Sequence, residues 1–272
     1  MNSPTPSSRK DYIGGAARDA TMAAVFAQLI SKREEFGVHC LLVPLRDAHG
    51  KDLPGVTTSD RGYKGGLAGV DNGRIMFDQV RVPRENLLDR YGHIAADGTY
   101  TSPIDNANKR YFTMLGTLIR GRISVGGSAN AAAETALSIA GRYPQQRKQF
   151  DGKEVVLMDY RMHQRRLLPL IARSYALQFA QNQLVARMHR IQIAEEPDPR
   201  AARELEGAPA GIKAVATWHA SRAIQECREA CGGAGYIAEN RLTTPRGDVD
   251  VFTTFEGDNH VLLQLVAEGL LT

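Results

Sequence analysis

Glu256 is the carboxylate whose setting raises the question of acid–base chemistry. It stands in TFEGDNHVLLQ (Thr254–Gln264), between Phe255 and Gly257, ahead of an Asp258–Asn259 pair and an apolar run. Taken alone, it reads as a solvated loop residue before a helix that Asp258 or Asn259 caps. Other residue types suggest anion chemistry. Arg161, Arg165, Arg166 and Arg173 form the one dense basic cluster, and their spacing puts three of them near one helix face. A solvated face accounts for them before RNA or DNA does, and an anionic cofactor with several phosphates lies between those readings. Arg147 follows RYPQQ as a charge at a helix end, Arg122 is a second such charge, and Gly232–Gly233 suit a helix C-cap.

These residues need a scaffold, and composition bounds it. The chain has 272 residues, 43% hydrophobic and 24% charged, enough for a buried core and too apolar for disorder. The net charge of +4 is mild for a nucleic-acid binder. No stretch approaches the ~20 apolar residues of a membrane span. MNSPTPSSRK has no apolar core of a secretory signal, and GLLT is no peroxisomal or reticular address. Cys40, Cys227 and Cys231 make a low, odd count that points to a reducing compartment and a cytoplasmic protein. Cys227 and Cys231, four apart, share a helix face. No further zinc ligands accompany them, so no metal is expected.

Two textures follow. Residues 1–100 read as strand and turn: FGVHCLLVPL (Phe36–Leu45) is an apolar strand, and VDNG (Val70–Gly73) turns into RIMFDQVRVP, which alternates until Pro83. Thr21–Ser31 is ambiguous, with helix-favouring alanines in an apolar run that also suits a strand. From residue 105 the chain is helical. Ala/Gly-rich segments, a long pattern kinked at Pro169, and a renewed pattern stopped by CGGAGY precede a final apolar helix.

Five motifs in order, YIGG (Tyr12–Gly15), GVDNG (Gly69–Gly73), RKQF (Arg147–Phe150), CGGAGY (Cys231–Tyr236) and TFEGDN (Thr254–Asn259), together resemble the acyl-CoA oxidase branch of the acyl-CoA dehydrogenase family. The resemblance covers nearly the whole chain. It implies an α+β fold: a partial antiparallel β-domain over 1–100, with Thr21–Ser31 as a strand, then a bundle of long antiparallel helices over 105–272. It implies FAD as cofactor and oxidation of an acyl-CoA to the trans-2-enoyl-CoA, with dioxygen reduced to hydrogen peroxide. Glu256 is then the catalytic base, in an apolar setting such as Phe255 provides, since burial disfavours the charged form of a carboxylate. Gly257 leaves room for the thioester. The implied cofactor residues are Tyr12, Gly14, Arg147, Gln149, Phe150, Arg161, Gly232, Gly233 and Asp258. Arg122 and Gly257 line the acyl-CoA site. The RKQF helix of relatives reaches a neighbouring subunit's flavin, which implies a homodimer.

The chain also departs from the pattern. Asp151 stands where glycine is usual, Arg161 where glutamine is, Gly15 where asparagine is and His260 where threonine is. By resemblance the chain is a central fragment, without the N-terminal helical domain, the first part of the β-domain and the C-terminal helical domain. A homo-oligomer, or a complex with a chain supplying those parts, is therefore expected, with neither nucleic acid nor membrane as partner. A dehydrogenase using an electron-transfer flavoprotein, and a non-catalytic fragment or partner subunit, remain the alternatives.

Overall fold

Alternation prevails over alanine content in the first strand pair. The structure, a computed structural model, describes all residues but Thr117, Asp151, Glu196, Pro197 and Thr272, and all side chains but those of Leu115, Leu118, Pro199, Arg200, Ala202, Arg203 and Glu204. The departure at Asp151 thus lies outside the described residues. Met22–Ser31 is a strand, β2, whose residues alternate between exposed and half-buried. It pairs antiparallel with β3 (Glu34–Pro44). Residues two apart share a strand face, so Ala23 and Val25 pack together on the Val43–Leu45–Val56 cluster. Lys32 and Arg33, both left-handed (φ 50° and 70°), close the hairpin with the backbone that a two-residue turn requires.

The same unit, Met1–Gly116, holds a second antiparallel sheet in the order β1 (Lys10–Gly14), β5 (Asn72–Phe77), β4 (Val56–Asp60). β5 ends at Phe77, short of the expected Pro83. Gln79 is left-handed (φ 50°), and the N–H groups of Asp78 and Val80 go to the Gly55 and Met1 carbonyls instead of a ladder. Two sequence motifs meet here. The Asp71 carboxylate of VDNG accepts the N–H groups of Ala17, Arg18 and Asp19 at 3.0–3.1 Å, which fixes the loop after YIGG. Buried Arg46 donates to the Ala16 and Ala20 carbonyls of that loop. A short hairpin, β6 (His93–Ile94) with β7 (Tyr100–Thr101), and a helix, α1 (Ala107–Leu115), complete the unit. Buried Arg110 of α1 donates to the Phe36 and Ile104 carbonyls.

The second unit, Thr117–Thr272, is built on α2 (Leu118–Gln146), α3 (Arg161–Ile193) and α4 (Pro199–Ala230). A hairpin of β8 (Lys148–Gln149) and β9 (Val155–Val156) follows α2, and α5 (Thr243–Asp250) and α6 (Asn259–Leu271) follow α4. Buried alanines make a close seam: Ala129, Ala133, Ala136 and Ala140 of α2 with Ala216, Ala220 and Ala223 of α4. α3 covers it with Leu167, Leu170 and Leu177, and its helix runs on through Pro169.

The side-chain bonds give the directions. Gln181 reaches the Ile123 carbonyl while Asn130 reaches that of Ser174, so α2 and α3 are antiparallel. Arg166 meets Glu226 while Ser174 meets His219, so α3 and α4 are too. The consecutive long helices are thus antiparallel, as expected, and α2 and α4, on either side of α3 in chain order, run in the same direction. The α+β class is as expected, and Cys227 and Cys231 are buried thiols, Cys231 lying one residue past α4. Among the described residues no helix is long and apolar enough to cross a membrane.

One buried group gives this unit a pH dependence. His219 is 2% exposed and its Nε2 lies 2.8 Å from Ser174 Oγ. Burial first, then the charges of Arg173 and Arg222, push its pKa down to about 4. The unfolded chain binds this proton below about pH 6.5 and the folded one does not until about pH 4, so stability falls as pH drops through that window. The loss expected is on the order of 3 kcal/mol. Urea unfolding at pH 6.5 and at pH 4 checks this: His219→Gln should remove most of that difference, whereas an unchanged difference would show that His219 does not carry it.

Candidate active site

A tight bend brings Glu256 out of the helical unit. After α5, a single 3-10 turn (Val251–Thr253) is closed by the N–H groups of Thr254 and Phe255, both donating to the Val251 carbonyl at 3.0 Å. Glu256 is then left-handed (φ 54°), and so is Gly257 (φ 104°). For a residue with a Cβ this conformation costs roughly 1–2 kcal/mol, and such strain clusters at functional sites. Gly257 has no alternative, since a Cβ there would press on the Leu262 side chain. Asp258 caps α6: its Oδ1 accepts the N–H of His260 at 2.9 Å and that of Val261 at 3.4 Å. Of the two caps the sequence offered, Asp258 and Asn259, Asp258 is the one used.

The Glu256 carboxylate lies over Gly121 of α2, and a Cβ on Gly121 would overlap it. The next residue, Arg122, is half-buried, and its Nε has no hydrogen-bond partner. One part of the expected setting is absent within this unit. Glu256 is exposed and the Phe255 ring is stacked on Phe252, with centroids 5.1 Å apart. The apolar enclosure ascribed to Phe255 is therefore not found, because that ring is engaged by its own neighbour.

Beneath the bend is a lysine that the sequence reading passed over. Lys213 of α4 is fully buried. Its ammonium donates to the Gly257 carbonyl at 2.6 Å and to Asn259 Oδ1 at 3.0 Å. Burial pulls its pKa down to about 8; the negative charges of Asp258 and Glu256 oppose that fall, and Arg122 adds to it. Asn259, also buried, donates from Nδ2 to Thr217 Oγ1 at 2.9 Å and to the Ala214 carbonyl at 3.4 Å. The signal for Lys213 was present in the sequence. It occupies the same helical stripe as buried Ala210, Ala214, Thr217, Ala220 and Ile224, where a charge has no solvent. Asn259 and Gly121 carried no comparable signal.

The remaining candidates lie elsewhere. Arg147, Gln149 and Phe150 are together after α2, and the hydroxyl of Tyr160, next to Arg161 at the start of α3, donates to the Gln149 carbonyl at 2.9 Å. Gly232 and Gly233 follow the end of α4. Because α2 and α4 run the same way, these residues gather at the end of the bundle opposite Gly121. The length of α2 from Gly121 to Gln146 is on the order of 35 Å at 1.5 Å per residue. Arg147 and Phe150 are exposed, and added Cβ atoms on Gly232 and Gly233 would meet open space. An exposed guanidinium, an exposed ring and bare backbone fit an anionic pyrophosphate bearing flat rings, and so fit the FAD that the resemblance implies. Tyr12 and Gly14 are on β1 of the first unit. Tyr12 is left-handed (φ 62°) and exposed, with the Arg61 guanidinium 4.5 Å from its ring centroid. Among the described residues no group of His, Cys, Asp and Glu could hold a metal ion.

Comparison with known proteins bears on the same segment. The family described as acyl-CoA oxidase, C-alpha1 domain, matches residues 115–271. A relative named acyl-coenzyme A oxidase 3, peroxisomal, from Arabidopsis thaliana is 44% identical over 274 residues, which take in 99% of this chain and 40% of the relative. That relative's compartment differs from the cytoplasmic one expected from sequence. The crystal structure of an acyl-CoA oxidase from Yarrowia lipolytica is similar with a TM-score of 0.88 at 38% identity, covering 99% of this chain and 41% of that one. An acyl-CoA oxidase from Caenorhabditis elegans, complexed with FAD and ATP, gives 0.90 at 32% identity, covering 99% and 40%. The chain spans about two fifths of the length of the curated relatives it matches. With the motifs, the fold and these matches in agreement, the chain belongs to the acyl-CoA oxidase family.

Proposed function

We propose that the chain is the central part of an acyl-CoA oxidase, a flavoprotein of fatty-acid β-oxidation, and that Glu256 removes the α-proton of an acyl-CoA. The observation that carries this reading is an exposed carboxylate held at a strained left-handed bend, over a helix face cleared by Gly121. A thioester acidifies its α-hydrogen only modestly, so the base must be held at hydrogen-bond range of that proton. Gly257 keeps the backbone bare for the flat thioester, and the N–H of Glu256 is the donor offered to the developing enolate oxygen. Arg122, with its free Nε, lines the acyl-CoA site. FAD, when bound, supplies the acceptor of the β-hydride and passes the electrons to dioxygen as hydrogen peroxide. Tyr12, Gly14, Arg147, Gln149, Phe150, Arg161, Gly232, Gly233 and Asp258 are the residues proposed to hold it.

The separation along α2 supports a dimer. One FAD cannot be served by both ends of a bundle this long, so a second copy of the chain is proposed to bring its Arg147–Phe150 end to the flavin beside Glu256. Exposed Met22, Phe26 and Ile30 on β2, and Tyr175 and Phe179 on α3, also favour association. Light scattering tests this: a homo-oligomer, or a complex with a chain supplying further domains, is expected, and a well-behaved monomer at high concentration would contradict it.

Assayed within a complete oxidase chain by peroxide release, Glu256→Gln should lose at least the 10²–10⁴-fold that general-base catalysis typically gives, while the visible flavin spectrum and acyl-CoA binding persist. Turnover close to wild type would show that the base is elsewhere. Gly121→Ala provides a steric test. Alanine favours a helix interior by about 1 kcal/mol over glycine, so folding should not suffer, yet its methyl displaces the carboxylate. A fall in kcat of about 10²-fold is expected, the scale on which a 1 Å misplacement acts. An active, fully folded Gly121→Ala enzyme would contradict the placement of Glu256.

A further inference from the structure

Lys213 has no place in the proposed reaction, yet among the described residues it is the largest fully buried side chain. An ammonium removed from water has to be met by acceptors or lose its proton. Its two hydrogen-bond acceptors both belong to the segment that presents Glu256: the Gly257 carbonyl and the Asn259 side chain, on either side of the helix cap Asp258. The charged groups facing it come from two packed elements, Arg122 from α2 and Glu256 with Asp258 from the segment before α6. The contact is therefore both a tether and a local field.

We infer that Lys213 is a positioning residue for Glu256: its ammonium holds the Gly257 carbonyl and Asn259 in place, keeps the left-handed bend at Glu256, and is coupled electrostatically to the carboxylate that the bend presents over Gly121. The inference rests on the reading of Glu256 as the base, but its geometry does not. The opposing arrangement, a lysine held only as a spacer in the α4 seam, would leave Glu256 insensitive to its protonation. Linkage makes the two behaviours distinguishable, because coupling between two sites is reciprocal. Folded Lys213 releases its proton near pH 8, below its ordinary range. Protonated Lys213 is thus a burden on the fold that is relieved as pH rises from about 8 toward 10.5.

The test needs no turnover. The chain is labelled with 13Cε-lysine and 13Cδ-glutamate, and the wild type and Glu256→Gln are titrated by NMR from pH 6 to pH 10.5. Glu256 is exposed, so its substitution leaves the core intact, and loss of its resonance assigns it. Lys213 is the lysine whose midpoint lies well below the others, near 8. Two results are expected: the Glu256 carboxyl resonance shows an inflection at the Lys213 midpoint, and the Lys213 midpoint moves down in Glu256→Gln because an opposing negative charge is gone. A Lys213 that titrates with the surface lysines, a Glu256 resonance flat through pH 8, or an unmoved midpoint would each overturn the inference. Failure of the base reading looks different: Glu256→Gln would then retain turnover whatever the titration shows.

Discussion

A fully buried ammonium leaves the chain around it little choice. Lys213 cannot reach water, so the backbone turn above it is drawn down until a carbonyl, that of Gly257, stands 2.6 Å away. Once that carbonyl is fixed, the residue before it is too. Glu256 adopts a left-handed backbone that a residue with a Cβ otherwise avoids, and the residues after it enter α6 through the Asp258 cap. Asn259 completes the tie, linking Lys213 on one side to Thr217 on the other. A charge-assisted bond of this kind is worth roughly 1.5–3 kcal/mol, which is the scale of the strain it opposes.

The helices supply the other half of the constraint. Alanines along α2 and α4 allow a close seam, and Gly121 on α2 leaves the recess into which the carboxylate projects. The seam also sets the long-range arrangement. With α3 antiparallel to both neighbours, α2 and α4 point the same way, so Glu256 is at one end of the bundle and the basic, glycine-bearing turns are at the other. Glu256 and the Arg147–Phe150 and Gly232–Gly233 turns are thus separated within one chain by the length of α2.

Part of this was legible in the sequence. The residues of Thr21–Ser31 were ambiguous and the family resemblance gave the strand, while residue type and position offered Asp258 or Asn259 as the cap of α6, of which Asp258 is the one used. Other features needed the fold. β5 stops at Phe77 because Gln79 bends and the nearby N–H groups find partners far along the chain, which no local pattern announces. Shared direction of α2 and α4 depends on which helix lies between them. Lys213 was legible in principle, as a charge in a buried helical stripe, but its acceptors are 44 and 46 residues away. Gly121 looked like one more glycine of an Ala/Gly-rich helix, and only the carboxylate above it gives the missing side chain a purpose.

The tether itself can be measured by a double-mutant cycle with Lys213→Met and Asn259→Leu, each variant unfolded in urea at pH 7. Removing Lys213 leaves Asn259 Oδ1 without its donor and removing Asn259 leaves Lys213 with the Gly257 carbonyl as its one remaining acceptor, whereas removing both leaves neither group unpaired across this contact. If the contact holds the Glu256 segment, the double variant should be more stable than the sum of the single losses implies, by on the order of 1.5–3 kcal/mol. Losses that add to within about 0.5 kcal/mol would contradict it, since the lysine and the segment that carries Glu256 would then be energetically independent.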